Sequence, residues 1–100
     1  MPQWNCNCRN CREARLGSGR VLPRTQSSVT VSADGEAWFL LNASPDVCIQ
    51  LQRFAPLHPW PHRSRSTKIE AVLLTNADLD HTLGLFLMRE GETIRVHAPP

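Results

Sequence analysis

Residues Ile69–Leu87 read IEAVLLTNADLDHTLGLFL, and their character changes twice. Ile69 to Thr75 is an Ile/Val/Leu-rich run of the kind that forms a strand buried on both faces, and it ends at polar Thr75 and Asn76. Asp78, Asp80 and His81 follow at once, and from Thr82 onward Leu83, Leu85, Phe86, Leu87 and Met88 suit a helix packed back on the sheet. A strand, an acidic loop with a histidine, then a helix is a metal-site layout. The carboxyl ends of strands in an open α/β sheet are where polar loops and ligands collect, and carboxylates with imidazole are good donors for a first-row ion. The competing reading needs less: acidic residues ahead of a helix suit its dipole, with Asp78 and Asp80 solvated and His81 at the cap.

Working outward, the whole chain has 100 residues, of which 41% are hydrophobic, enough for one modest core and thus one domain or part of one. A net charge of +2 and the lack of any Lys/Arg block argue against nucleic-acid or membrane-surface binding by bulk electrostatics, although Arg9, Arg12, Arg15, Arg20 and Arg24 make the first quarter basic. No apolar run approaches the roughly 18 residues that span a bilayer. The start MPQWNCNC lacks the apolar core and cleavage site of a signal peptide, so a cytoplasmic location is expected. In a reducing compartment, cysteines are thiolates or thiols before they are disulfides.

That matters for Cys6-Asn7-Cys8-Arg9-Asn10-Cys11, a CxCxxC cluster. Three thiols so close can turn around one borderline ion such as zinc, while neighbouring Asn and Arg side chains offer donors to the sulfurs. Such a site would be structural, since a mostly thiolate shell leaves no open position for substrate. The fourth ligand is open: Cys48, His58, His62, a water, or a group outside the chain. The plainer alternative is a set of reduced cysteines in a loop.

The rest of the chain reads as framework. Arg12 to Arg24 looks like a loop, broken by Gly17, Gly19 and Pro23. Ser28–Ala33, the turn pair Asp34-Gly35, and Glu36–Leu41 predict a β-hairpin with a tight primed turn. After Asn42 and Ala43, Ser44 suits a helix cap, Pro45 the first helical position and Asp46 the first turn, for a helix reaching about Arg53. Asp46 is either a cap carboxylate or a wall of the strand-end site, because Asn42–Asp46 should follow a strand that neighbours Ile69–Thr75. Prolines in Ala55–Thr67 predict an irregular loop and forbid a helix that would pair His58 with His62, so both read as solvated. Gly91 reads as a helix stop and Thr93–Ala98 as a strand, completing a right-handed β-helix-β crossover from Ile69.

The stretch LLTNADLDHTLGL resembles the metal motif of the metallo-β-lactamase superfamily, a strand followed by His-x-His-x-Asp-His. Asn76 stands where the first histidine would be and Asp78 where the second would be, while Asp80 and His81 match. With PQWNCNCRNC at the start, PRTQSS at Pro23–Ser28 and NASPD at Asn42–Asp46, this altered form is similar to the coenzyme PQQ synthesis protein B family. The resemblance implies an α/β fold, part of an αββα sandwich in which hairpin, helix and crossover supply about the first half. It also implies that members begin with a strand and glycine-rich loop before PQWNCNC and continue past Pro100, so the chain is expected to be an incomplete domain.

Functionally, the resemblance implies a place in the synthesis of pyrroloquinoline quinone (PQQ). Two-zinc hydrolysis needs both histidines that Asn76 and Asp78 replace. An oxygen-rich set of Asp78, Asp80 and His81 suits iron(II) with open positions instead, and the family resemblance implies hydroxylation of a tyrosine-derived precursor. The alternatives are a soluble carrier that moves PQQ or its precursor toward the periplasm, and a zinc-stapled fragment without activity.

Overall fold

The computed structural model of the chain describes residues 2–89 and 92–100. Its framework is a four-stranded sheet in the order β1 (Val29–Val31), β2 (Trp38–Leu41), β3 (Ile69–Leu73), β4 (Arg95–His97). β1 and β2 are antiparallel, with Val29 opposite Leu41 and Val31 opposite Phe39. β2, β3 and β4 are parallel, with Leu40 beside Val72 and Val72 beside Val96. Helix α2 (Val47–Arg53) lies between β2 and β3 in the chain and helix α3 (Leu79–Leu87) between β3 and β4. Parallel neighbours require such crossovers, since no tight turn can return the chain to the same end of the sheet.

One face of the sheet carries the core. Leu40 and Val72, side by side in register, are fully buried with Val47 of α2, and Ala43, Leu57 and Ile69 complete the cluster. Leu51, Leu85, Met88 and Ile94 pack around it, so both crossover helices lie on this side. Each buried side chain of this size contributes about 1.5–3 kcal/mol relative to exposure. The register puts Val29, Val31, Phe39, Leu41 and Leu73 on the opposite face. Val29, Val31, Phe39 and Leu73 stay substantially exposed there. β3 is not buried throughout as its composition suggests: Glu70 and Leu73 are exposed while Ile69, Ala71 and Val72 are buried.

Three expectations change in detail. The hairpin loop is longer than a two-residue primed turn, because pairing stops at Val31 and resumes at Trp38. Asp34 Oδ1 accepts the N–H groups of Glu36 and Ala37, and Ser32 Oγ accepts that of Gly35, so a side-chain-built turn replaces backbone pairing. Those bonds, from Glu36 first and then Ala37 and Ser32, hold the Asp34 carboxyl below its usual range. Next, residues expected to be loop form helix α1 (Arg9–Leu16), ended by Gly17 in the left-handed region at φ 62°. Arg, Glu, Ala and Leu are good helix formers, and the cysteine spacing masked them. Finally, α2 starts at Val47 rather than Pro45. Ser44 is still the organiser: its hydroxyl accepts the Asp46 N–H and donates to Gln50 Oε1.

Asp46 is the N-cap residue of α2. It makes no side-chain cap bond, and its Oδ2 instead accepts the Gln26 N–H at 2.8 Å. Gln50 donates to Thr25 Oγ1 and the Gln26 carbonyl, and Ser28 Oγ accepts the Ser44 N–H. The Pro23–Ser28 motif is therefore the segment that α2 ties down. The β3–α3–β4 crossover has the expected parallel pairing, and its Gly91 stop lies outside the described residues.

Candidate metal sites

Two groups of metal-ligating side chains converge among the described residues: Cys6, Cys8 and Cys11, and Asp78, Asp80 and His81, each with its donor atoms within 4.8 Å of one another. In the first, Cys8 is the N-cap of α1, Cys11 is buried in its first turn, and Cys6 is half-buried in the approach. Backbone N–H groups point at the sulfurs: Cys8 N–H at Cys6 Sγ, 3.5 Å, and Gln3 N–H at Cys11 Sγ, 3.4 Å. Such donors stabilise thiolate charge and orient it toward a metal. The Arg15 guanidinium closes the turn from α1, its Nη2 donating to the carbonyls of Gln3 at 2.5 Å and Cys6 at 2.6 Å and reaching that of Trp4 at 3.4 Å.

The thiols divide electrostatically. The Cys11 backbone N–H, with help from the Cys6 and Cys11 side chains, lowers the Cys8 thiol to about 7. Cys6 moves up: the Cys8 N–H favours its thiolate, but the Cys8 and Cys11 thiols, desolvation and the Cys11 charge outweigh that bond. A thiol that ionises near neutral pH in a preformed three-sulfur turn is a donor set that fits zinc. The suggested fourth ligands are not drawn in. Cys48 Sγ faces the Leu87 carbonyl, His58 Nε2 sits 2.9 Å from the Gln52 carbonyl, and His62 lies against Trp60.

The second group sits where β2 and β3, running parallel, both end. Asn42, with φ 62°, leaves β2 and binds Thr75 at the end of β3 twice: its Oδ1 accepts the Thr75 N–H at 2.9 Å and its Nδ2 donates to Thr75 Oγ1 at 3.0 Å. Asp78 is the N-cap of α3 without a side-chain cap bond, so its carboxylate is not spent on the helix. His81 Nε2 lies 3.9 Å from Asp80 Oδ1, while Nδ1 is 2.6 Å from Asn76 Oδ1. The ring is thus held on one side and presents its other nitrogen to Asp80. Asp78 and Asp80 are exposed and His81 is less so. Two carboxylates and one imidazole nitrogen fit an oxygen-preferring divalent ion.

Gly84, which the pattern of ligands does not reveal, sets the distance between the two strand ends. A Cβ there would lie 2.7 Å from the Ala43 carbonyl and run into Ser44 as well. Its absence lets the α3 backbone meet that of Ala43 directly: Ala43 N–H donates to the His81 carbonyl at 2.7 Å and Gly84 N–H to the Ala43 carbonyl at 2.9 Å. Asn42, Thr75, Asn76 and Gly84 are therefore the residues that hold the site, and only the strand-end convergence hinted at them. A cleft of about 700 Å³ lies elsewhere, lined by Cys48, Leu51, Leu57, His58, Arg65 and Met88 among others, and includes no residue of either group.

Residues 37–100 match the beta-lactamase superfamily domain. The chain belongs to the beta-lactamase superfamily. Among relatives in this superfamily, the coenzyme PQQ synthesis protein B of Methylobacterium nodulans is 57% identical over 98 residues, covering 98% of this chain and 32% of that protein. The protein of the same name from Methylorubrum extorquens strain PA1 is 52% identical across the whole chain and 33% of its own length. That from Pseudomonas paraeruginosa is 54% identical over 91 residues, 91% of this chain and 30% of that one. The crystal structure of Zn(2+)-bound PqqB from Methylobacterium extorquens superposes with a TM-score of 0.94 at 52% identity, over 99% of this chain and 33% of that chain. This superfamily chain thus spans about a third of the length of the relatives it matches. Its partial α/β architecture, expected from the motif, is the one the solved relative shares.

Proposed function

We propose that the protein carrying this chain works in PQQ biosynthesis, the process named in the coenzyme PQQ synthesis protein B relatives. Its proposed reaction is metal-dependent hydroxylation of a tyrosine-derived PQQ precursor, with Asp78, Asp80 and His81 as the ligands and catalytic group for iron(II). The observation that supports this is the strand-end geometry: an Asp78 carboxylate free of capping duty, clustered with Asp80 and with a ring whose Nε2 is turned toward Asp80. With Asn76 and Asp78 in the histidine positions, the imidazoles of a two-zinc hydrolase are lacking.

Iron(II), when bound, supplies one-electron chemistry with dioxygen. The chain's own part is to bind and orient. His81 offers Nε2, the carboxylates bring the negative charge that offsets a dication, and the bonds of Asn42 with Thr75 and of Ala43 with His81 and Gly84 hold the two strand ends and α3 together. In this reading residues 1–24 are the zinc-binding segment of a single unit over 1–100, with structural zinc on Cys6, Cys8 and Cys11. The solved relative is itself zinc-bound. A cytoplasmic location agrees with reduced thiols, and no helix among the described residues is long and apolar enough to cross a membrane.

The test is oxygen uptake by the iron-loaded full-length protein with a tyrosine-derived precursor under single-turnover conditions. Uptake should match product, and His81→Ala should abolish iron binding and product together. Tight binding of mature PQQ with no oxygen consumed on any precursor would replace the hydroxylase by a carrier.

A further inference from the structure

Asn76 occupies the place of a metal-binding histidine in the superfamily motif, yet it is not idle. Its Oδ1 accepts the backbone N–H of Asp78 at 3.0 Å and lies 2.6 Å from His81 Nδ1. A backbone N–H is an obligate donor, so the amide atom it meets is the oxygen and the side chain's orientation is settled. An amide oxygen carries no hydrogen, so at 2.6 Å the proton of that bond must sit on His81 Nδ1. Thr75 Oγ1, 3.4 Å from the same nitrogen, agrees: its hydroxyl is 3.2 Å from Asn42 Oδ1, to which it donates, and it faces the ring with a lone pair. Both oxygens at Nδ1 therefore act as acceptors. The consequence falls on the other nitrogen, since a neutral ring protonated at Nδ1 keeps the lone pair of Nε2 for a ligand.

We infer that Asn76 is a positioning residue, which fixes the Nδ1–H tautomer of His81 and leaves Nε2 as its only basic nitrogen, aimed at the Asp80 side of the site. This rests on the reading of His81 as a metal ligand for its purpose, but not for its geometry. It turns the replaced histidine from a lost ligand into the support of the remaining one. Partners that hold the far nitrogen of a ligating histidine set its orientation and basicity, and their loss weakens metal binding by about 10- to 100-fold. The same logic says that restoring the motif by Asn76→His would not restore a hydrolase site. It would remove the acceptor and set a second ring against the first.

The experiment is long-range ¹⁵N–¹H correlation of the histidine rings in the metal-free protein with the imidazoles neutral, with His81 assigned by its loss in His81→Gln. Wild type should show a protonated Nδ1 and an unprotonated Nε2. Asn76→Asp, which keeps an acceptor oxygen, should preserve that pattern, whereas Asn76→Leu should shift the ring toward Nε2–H, the form solvated imidazole prefers. Anaerobic iron(II) titration, with the thiol turn already zinc-loaded, should show affinity retained in Asn76→Asp and reduced about 10- to 100-fold in Asn76→Leu. A protonated Nε2 in wild type, or an unchanged pattern in a folded Asn76→Leu, would overturn the inference. If Asn76→Leu fails to fold, loss of the wild-type pattern in folded Asn76→Asp would overturn it equally. Should the tautomer follow Asn76 while iron(II) affinity ignores His81→Gln, the positioning role stands and the ligand reading falls.

Discussion

The two metal-ligating groups are built in opposite ways. Every polar bond that shapes the thiol turn joins residues no more than 12 apart, from Cys8 N–H on Cys6 Sγ to Arg15 on the Gln3 carbonyl. The strand-end group depends on Asn42 and Thr75, which are 33 residues apart and meet only because β2 and β3 pair. Closing a short loop costs little entropy, so the first can form with its metal almost independently of the sheet. The second exists only once the core has placed two strands in register. Local chemistry can be stapled, but convergent chemistry must be carried by a fold.

That contrast can be broken or sharpened by experiment. The largest effect expected is from Cys8→Ala: about one zinc per chain should disappear, measured by metal analysis after desalting, with the sheet's circular dichroism little changed. Unchanged zinc content would show that the turn is not the site. Next, Gly84→Val should push α3 off the Ala43–Ser44 backbone and destabilise the sheet core by about 1–3 kcal/mol, read from denaturant unfolding, while zinc content holds. Equal loss of zinc would mean that the two regions are one cooperative unit.

A smaller change is expected from Arg15→Gln, which removes the cation that gathers the Gln3 and Cys6 carbonyls. Competition against a zinc chelator should show affinity reduced by about 10- to 100-fold, with the unfolding midpoint of the sheet unmoved. An unaltered affinity would reduce Arg15 to a surface contact. The smallest effect is in pH. The folded Cys8 thiol titrates at about 7, below its ordinary 9.0, so between these values the folded turn binds fewer protons than the unfolded chain. This contribution to the turn's stability is present at higher pH and is lost as pH falls through about 7. In metal-free protein, iodoacetamide should modify Cys8 before Cys6, with a rate rising through pH 7. Bound zinc should suppress that reaction until a chelator is added.

What could be read from residues alone followed the same division. The CxCxxC spacing announced the thiol group without the fold, because Cys6, Cys8 and Cys11 are too close in sequence to be far apart in space. It hid α1, whose first turn contains Cys11, since a cysteine-rich stretch before Gly17 looks like loop. The hairpin, α2, β3 and α3 were legible from alternation, Ser44-Pro45 and the apolar run, because each signal lies within the element it predicts. Asp46 does begin α2 as expected, but the partner of its carboxylate, the Gln26 N–H, arrives from 20 residues away and left no local signal.

The sequence by itself determined which side chains able to ligate a metal stand close together: three thiols in one group, two carboxylates and one imidazole in the other. Only the tertiary structure decided how they are held. Parallel pairing of β2 with β3 brought Asn42 to Thr75, the missing Cβ of Gly84 let α3 approach Ala43, and Asn76 came to face His81 Nδ1. The physical reason is that ligand identity is a property of side chains, whereas orientation is a property of hydrogen bonds, and those from Asn42 to Thr75 and from Ala43 to α3 join elements whose register the buried core enforces.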